Sequence, residues 1–365
     1  MLPEGWKEVK LEEAVSFLDG KRKPLKSEDR LKIRGQYPYY GATGIIDYVN
    51  DYIFDDTLIL MGEDGENIIS RNLPHVFIIS GKTWVNNHAH VLKAKKYCDT
   101  RFLSSYLESL NYEKYNTGSA QPKLNKAICE NIRILLPPFP EQKKIAAILS
   151  TWDRAIEGTE KLLANSQQQK KALMQQLLTG KKRLPGFTGE WKKKTLSNVC
   201  QIKTGKKDVN EGCENGEYPF FTCAKQHTFS ENYSYDCEAI LIAGNGEVGK
   251  THYYNGKFEA YQRTYILSDF TNISVFFLLH FIEFFLPLDI SKEKQHGAMP
   301  YIKLGTLKDF SVVTPPIPEQ RAIATVLTTA DEEIASLESD LSRLRQEKKA
   351  LMQQLLTGKR RVTVD

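Results

Sequence analysis

Two long stretches of the chain, residues 140–180 and 318–358, carry apolar residues at alternating spacings of four and three. This heptad spacing is typical of helices that pack along a seam. Each stretch begins with proline and glutamate and ends at a glycine followed by basic residues, which is the order expected for the two ends of a helix. We predict two helices of about 60 Å each.

The predicted seam is cleaner in the second helix than in the first, where Thr159, Ser166 and Lys170 interrupt it. Its residues are Ile145, Leu149, Trp152, Ile156, Leu163 and Leu177 in the first helix and Ile323, Leu327, Ile334, Leu337, Leu341, Leu344, Leu351 and Leu355 in the second. A whole domain separates the helices along the chain, so we expect them to pack as an antiparallel coiled coil within one chain. The alternative is that each helix only covers the core of its own domain.

A second apolar stripe flanks this seam. It consists of Ile148, Leu162, Met174 and Leu178 in the first helix and Val326, Met352 and Leu356 in the second. Such a stripe either widens the seam or forms a docking surface for the helices of another subunit. The pattern alone leaves both interpretations open.

The segments that precede the helices, residues 1–139 and 190–317, have a different pattern. Short runs such as "TLILMG", "HVFIIS", "AILIAG" and "TYILSD" are bounded by turn residues and predict strands. "DTRFLSSYLESLNYEKY" and "NISVFFLLHFIEFF" predict one helix in each segment. The fold class is therefore α+β, with two mixed domains that are each followed by a long helix. Residues 181–189 are a predicted linker and residues 359–365 a short tail.

The chain is an internal repeat. "KKALMQQLLTGK" stands at residues 170–181 and again at 348–359, and the "PEQ" of 140–142 returns at 318–320. Further upstream the similarity fades, as between "GQYPYY" and "GEYPFF". A repeat with nearly identical helices and divergent domains predicts two unlike halves related by a pseudo-twofold axis.

Composition narrows the possible classes only slightly. The chain has 365 residues with 41% hydrophobic and 26% charged residues, as in ordinary globular proteins. A net charge of +5 permits a nucleic-acid partner without requiring one. The six cysteines form no C-x-x-C pair, which excludes zinc-ribbon spacing. Because neither a signal peptide nor an apolar run of membrane-spanning length is present, we expect a cytoplasmic protein without a membrane partner.

One stretch imitates a nucleotide site. "AGNGEVGKT" at residues 243–251 fits the phosphate-binding loop of nucleotide hydrolases, with Lys250 and Thr251 as its reactive pair. A phosphate loop must lead into a helix, whereas "THYYNGKFEAYQRTYIL" predicts a strand and a hairpin. We therefore interpret the glycines as a tight turn between strands.

Other candidate chemistry is equally sparse. His88 and His90 alternate along a predicted strand and share one face, but no third metal ligand is evident. No spacing supports a Ser-His-Asp or paired-carboxylate arrangement. We predict neither a catalytic residue nor a metal site.

Taken together, the duplicated motifs resemble the specificity (S) subunits of type I restriction-modification systems. The resemblance rests on both "PP-[FI]-PEQ" helix starts, both "ALMQQLLTGK" helix ends and the "KKRLPGF" that follows the first. It rests also on "GWKEVKLEEAV", "GEWKKKTLSNV", "WVNNHAHVL" and "LIAGNGEVGK". It covers essentially the whole chain, in which both halves are expected to be intact.

The resemblance implies two target recognition domains, each reading one half of a bipartite double-stranded DNA sequence. It implies that the helices serve as spacer and docking surface for two adenine methyltransferase (M) subunits, which restriction (R) subunits join. The S subunit would carry no catalytic site, and S-adenosylmethionine would belong to the M partner. Two half-sites about one helical turn apart would suit a pseudo-twofold reader.

DNA contacts are expected from basic and amide side chains on loops and strand edges, where lysines position the phosphates and other side chains read bases. The candidates are Lys21, Arg22, Lys23, Gln121, Lys123, Lys203, Lys206, Lys207, Lys250, Gln262, Arg263, Tyr301 and Lys303. The turn with Glu63, Asp64 and Glu66 is acidic, so we expect it to stay away from the DNA backbone.

Three rival interpretations remain. One is a coiled-coil scaffold whose β domains bind protein, and another is a nucleotide hydrolase using Lys250. The third is a specificity subunit of a type II system with a fused or atypical methyltransferase. The target sequence cannot be deduced from the residues.

Overall fold

The structure, a computed structural model, describes residues 2–118, 120–292 and 301–364. The chain forms two compact units. Unit 1 consists of Met1–Glu160 together with Asp340–Asp365, and unit 2 consists of Lys161–Ser339. Each unit thus combines one predicted recognition domain with parts of both long helices.

Unit 1 is built on two four-stranded sheets. Its strands are β1 (Lys7–Lys10), β2 (Val15–Phe17), β3 (Arg34–Tyr40), β4 (Ile45–Val49), β5 (Phe54–Asp55), β6 (Leu58–Gly62), β7 (Val76–Ile79), β8 (Lys82–Val85), β9 (Ala89–Ala94) and β10 (Arg133–Leu136). Its short helices are α1 (Leu11–Ala14), α2 (Ser27–Lys32), α3 (Asn67–Ser70), α4 (Thr100–Glu108) and α5 (Lys126–Glu130). The sheet orders are β2-β9-β6-β7 and β4-β3-β8-β5, and β1 pairs with β10.

The first long helix, α6 (Phe139–Leu177), is divided between the two units. Unit 2 then contains β11 (Lys192–Thr195), β12 (Gln201–Thr204), β13 (Tyr218–Phe221), β14 (Thr228–Ser230), β15 (Tyr235–Ala243), β16 (Thr251–Ala260), β17 (Thr264–Ser268) and β18 (Ser311–Thr314). Its helices are α7 (Val275–Lys292) and α8 (Leu304–Lys308), and the second long helix, α9 (Ile317–Leu355), is again divided between the units. The main sheet has the order β12-β17-β15-β16-β13-β14, and β11 pairs with β18.

The long helices pair in antiparallel fashion inside each unit. In unit 1 the first part of α6 meets the last part of α9, where Lys348 pairs with Asp153 and Arg345 Nη2 lies 2.6 Å from Glu160 Oε1. In unit 2 the last part of α6 meets the first part of α9, where Lys170 pairs with Asp331. Lys170 and Lys348 are charged residues at seam positions, and each is matched by an aspartate of the other helix. The predicted antiparallel pairing is confirmed.

The predicted seam residues are all buried or half-buried. Those near the helix ends are the most enclosed, as in Ile145, Leu149 and Leu327, which are inaccessible to solvent. The helices stop at Leu177 and Leu355, three residues before the predicted ends. The reason is a turn in which Gly180 and Gly358 adopt the left-handed conformation, with φ of 69° and 72°.

The second apolar stripe is largely covered within the chain, contrary to the docking interpretation. Leu178 and Met174 belong to the core of unit 2, and Leu356 belongs to the core of unit 1. Ile148, Met352 and Val326 pack against the same cores, which leaves Leu162, 56% exposed, as the stripe residue on the surface. The last turn of each long helix inserts into a domain core, so the apolar side chains on all faces of that turn are covered. The docking interpretation is therefore wrong for Met174, Leu178 and Leu356, which are buried, and stays a prediction for the half-buried Ile148, Val326 and Met352.

Among the described residues, none of the helices combines the length and the apolar character that a bilayer-spanning segment needs.

Candidate nucleic-acid interface

Several loops of unit 2 converge beside the main sheet. Gly244 N donates to Arg263 O at 2.9 Å, and Ile302 N donates to Gly244 O at 2.9 Å. Gln262 N donates to Lys207 O at 2.9 Å, and Glu247 N donates to Cys223 O at 3.1 Å. These bonds tie together residues 205–208, 222–227, 244–250, 261–264 and 301–303, which we call loop cluster 2.

Unit 1 has the same arrangement. Glu63 N donates to His88 O and Leu124 N donates to Glu63 O, both at 2.8 Å, while Gly65 N donates to Pro122 O at 3.0 Å. Arg22 Nη1 donates to Ala89 O at 2.8 Å. Residues 19–23, 62–66, 86–88 and 120–124 together form loop cluster 1.

Strand register shows that the two clusters use corresponding loops. β3 pairs in parallel with β8 through Tyr40 and Val85, and β13 pairs in parallel with β16 through Phe221 and Ala260. The turn that follows is Asn86-Asn87-His88 in unit 1 and Tyr261-Gln262-Arg263 in unit 2. In the same way Lys21 after β2 corresponds to Lys206 after β12, as the pairing of these strands with β9 and β17 requires.

The clusters contain most of the DNA contacts predicted from the sequence. Loop cluster 1 holds Lys21, Arg22, Lys23, Gln121 and Lys123, and loop cluster 2 holds Lys206, Lys207, Lys250, Gln262, Arg263, Tyr301 and Lys303. Lys203 is an exposed residue within β12 and lies outside these loops. Asn87 and His88 belong to loop cluster 1 but were not among the predicted contacts, because neither lies in a basic run.

The predicted contact residues differ in whether their side chains already form bonds within the protein. Arg22 Nη1 lies 2.6 Å from Glu63 Oε2, and its side chain is only 14% exposed. Its guanidinium also donates to the carbonyls of Asp19 and Ala89. A side chain held this way ties loop cluster 1 together and has few N–H groups left to offer to DNA.

Two lysines are partly engaged. Lys207 Nζ lies 2.7 Å from Glu211 Oε2, and this hydrogen bond raises the pKa of Lys207. Lys123 Nζ lies 3.6 Å from Glu63 Oε1 but remains half exposed. By contrast, Lys21, Lys206 and Lys250 are exposed and make no ion pair with any described residue.

The acidic turn of unit 1 is largely neutralised from within. Glu63 faces Arg22 and Lys123, and the Asp64 carboxylate lies 2.9 Å from Nδ1 of His88. Loop cluster 1 therefore has fewer free positive charges than loop cluster 2, and its exposed Glu66 makes no ion pair with a described residue.

The buried histidines of unit 1 are structural. His90 Nδ1 lies 2.7 Å from Asp19 Oδ2, and its Nε2 lies 2.8 Å from Leu124 O. Burial alone would lower the pKa of His90, but the hydrogen bond with Asp19 and the interactions with Cys129 outweigh it and raise this pKa to about 10. Both ring nitrogens are engaged, and within the part of the chain that the structure describes no group of side chains could hold a metal ion.

The phosphate-loop imitation ends in a strand. Thr251 begins β16, and its hydroxyl donates to Glu283 Oε1 at 3.1 Å from a buried position. Gly246 and Gly249 have positive φ angles of 62° and 81°, as a tight turn requires. The turn therefore lacks the helix N-terminus on which a phosphate loop binds its anion.

Each recognition domain is anchored to the long helices by the duplicated "PEQ". Gln142 Nε2 donates to Pro137 O at 2.8 Å, and its Oε1 accepts from Asp99 N at 2.8 Å just before α4. Gln320 repeats both bonds with Pro315 O and with Ser274 N just before α7. The loops of each cluster are thus carried on a domain that is fixed to the start of its helix.

The glutamate of the same motif binds an arginine that follows the other long helix. Arg361 donates to both carboxylate oxygens of Glu141 at 2.7 and 2.9 Å, and Arg183 makes the same bidentate contact with Glu319. Both glutamates are buried. This pairing was not predicted, although the duplication of both partners in the sequence was a usable signal.

Comparison with known proteins places the chain in a defined group. The type I restriction modification DNA specificity domain family matches residues 3–165 and 188–345. A type I restriction enzyme specificity subunit of Haemophilus influenzae is 29% identical over 87% of this chain and 85% of its own length. The MjaVIII specificity subunit of Methanocaldococcus jannaschii is 26% identical over 99% of this chain and 94% of its own.

A solved structure shares the fold. The S subunit of a type I restriction-modification system from M. genitalium superimposes with a TM-score of 0.74 over 98% of both chains, at 17% sequence identity.

Proposed function

Because the chain belongs to the family of type I restriction modification DNA specificity domains, we propose that its two loop clusters each read one half of a bipartite double-stranded DNA target. One observation carries this proposal. Corresponding loops converge in both units, yet the side chains on them differ, as in His88 against Arg263. Two readers of one design with different side chains suit a target whose halves have different sequences.

Within each cluster we assign separate tasks to lysines and to the other polar side chains. Lys21 and Lys206 occupy corresponding positions and are unpaired among the described residues, so they suit contacts to phosphate oxygens. Such contacts position the protein but carry little sequence information. Gln121, Asn87 and Gln262 offer amide groups, which form paired hydrogen bonds with adenine in the major groove.

The long helices fit a role as spacer, since each contributes residues to both units. We propose that this chain acts with two adenine methyltransferase subunits, which bind the S-adenosylmethionine, and with restriction subunits. Leu162, exposed near the middle of α6, is the stripe residue most available for such docking. A protein that reads cellular DNA in this way would act in the cytoplasm.

The test is a genome-wide map of adenine methylation in cells that express this chain together with its methyltransferase. Cells that express the methyltransferase alone are the control. We expect a motif with two defined halves around an unspecified gap, and only where the chain is present. Replacing residues 1–139 by the corresponding domain of a relative should change one half and leave the other.

The rival interpretations give other results. If an active, co-purifying methyltransferase produced the same methylation with and without the chain, the reading role would be wrong and a protein-binding scaffold would be favoured. A scaffold also predicts no strong dependence on salt, whereas DNA binding through phosphate contacts weakens steeply as salt rises.

A further inference from the structure

Residues 190–317 contain a single arginine, Arg263. Every other basic side chain of this segment is a lysine or a histidine. Arg263 is exposed, and it lies in the 261–264 turn that the other loops of cluster 2 contact. Its position is therefore one at which the difference between arginine and lysine can matter.

The backbone at this residue is held from several sides. Thr264 N donates to Tyr261 O at 2.7 Å, which closes the turn, and Gln262 N donates to Lys207 O. Arg263 O accepts from Gly244 N at 2.9 Å and from Cys223 Sγ at 3.4 Å. A contact residue fixed by its surroundings loses little entropy on binding, which is the arrangement that precise recognition requires.

The guanidinium of Arg263 differs from those of Arg22, Arg30 and Arg71 in unit 1. Arg22 pairs with Glu63, Arg30 with Asp47 and Arg71 with Glu108. Arg263 makes no ion pair with any residue that the structure describes. Its N–H groups therefore have no carboxylate partner there to give up before they meet a ligand.

We propose that Arg263 reads a guanine in the half-site recognised by unit 2, donating two hydrogen bonds to O6 and N7 in the major groove. The planar guanidinium matches this pair of acceptors, whereas the ammonium group of lysine does not reproduce its geometry. The inference rests on the proposed function, since it names one base contact of the same loop cluster.

The corresponding position of unit 1 does not offer this contact. His88 stands there, and its Nδ1 lies 2.9 Å from Asp64. The guanine contact at this turn is therefore confined to one half of the target. An alternative role for Arg263 is a phosphate contact, which would strengthen binding to every sequence equally.

The experiment uses the complex of the full chain with its methyltransferase, acting on DNA in which both half-sites are randomised. Arg263→Ala should lower discrimination roughly 10- to 100-fold at one guanine of one half and leave the other positions unchanged. Arg263→Lys keeps the charge but should still lose most of that discrimination. Lys193→Ala, which removes a positive charge from exposed β11, is the matched control and should leave the motif as it is.

The proposal is overturned if Arg263→Ala weakens all sequences uniformly, or if it relaxes the half that residues 1–139 determine. If Arg263→Ala fails to fold, unchanged discrimination in Arg263→Lys would overturn it equally. Failure of the proposed function looks different, because the wild-type complex itself would then yield no motif that depends on the chain.

Discussion

In unit 1 Arg361 donates hydrogen bonds to both carboxylate oxygens of Glu141, and in unit 2 Arg183 does the same to Glu319. The residues directly after these glutamates, Gln142 and Gln320, also make the same two bonds. The loop clusters behave differently: His88 is paired with Asp64, whereas Arg263, at the corresponding position, has no such partner among the described residues. The attachment of the domains is repeated, and the surface that they present is not.

This contrast teaches where each unit tolerates change. The buried glutamates and glutamines must satisfy fixed backbone and guanidinium groups, because a buried polar group left without a partner is costly. The exposed side chains of Lys21, Lys206 and Arg263 make none of the hydrogen bonds that hold these turns. A new target can therefore be read without altering how a domain is held.

The largest expected effect comes from the anchoring glutamines. Gln142→Ala leaves Pro137 O and Asp99 N without their partner and should destabilise unit 1 by roughly 3 kcal/mol. Gln320→Ala should do the same to unit 2. Hydrogen exchange of α4 and of α7 separates the two, because each variant should loosen only the helix that its own glutamine holds.

The matched control is Gln168→Ala on the exposed face of α6, for which we expect less than about 0.5 kcal/mol. Equal loosening of α4 and α7 by either anchoring variant would contradict independent anchors.

A pH effect should distinguish the units next. The pKa of His90 is raised to about 10, so its stabilising contribution is complete below about pH 6.5 and is lost as pH rises toward 10. His75 adds nothing in this window, because burial lowers its pKa to about 3 and its cost appears only below pH 6.5. Between pH 6.5 and pH 9 unit 1 should lose about 3 kcal/mol of stability.

Unit 2 has Tyr265 at the position of His90 and should change less over the same range. Amide exchange at pH 6.5 and pH 9, corrected for intrinsic rates, measures the difference. His90→Gln should abolish it, and equal losses in both units would refute the assignment.

The smallest effects concern single lysines. Lys21→Ala and Lys206→Ala should each reduce the slope of log affinity against log salt by about 1. Lys207→Ala should reduce it less, because Glu211 already neutralises that ammonium group. DNA binding by the methyltransferase complex over a salt series provides the measurement, and a larger change for Lys207→Ala than for Lys206→Ala would contradict the assignment.

The sequence predicted the long helices and their antiparallel pairing well, because a heptad spacing sustained over many turns has few other interpretations. It also predicted strands such as β6 and β17, and the turn in place of a phosphate loop. The family match confirms the predicted specificity subunit, a component without catalysis of its own.

What the sequence could not supply are contacts between distant residues. Arg361 and Glu141 form an ion pair although they lie far apart in the sequence, and no local pattern predicts this contact. The basic run "GKRK" predicts that Arg22 contacts DNA, and only the structure shows that Glu63 lies beside it. The docking interpretation failed at the helix ends for a similar reason, since periodicity cannot tell which face a domain core covers.

The most direct test of the account exchanges the corresponding turns. One variant carries Asn87→Gln with His88→Arg, and the other carries Gln262→Asn with Arg263→His. Each is assayed with its methyltransferase on DNA randomised in both half-sites. We predict that the first variant alters only the half read by unit 1 and the second only the half read by unit 2. If either variant altered the opposite half, or both halves together, the assignment of one loop cluster to each half would be contradicted.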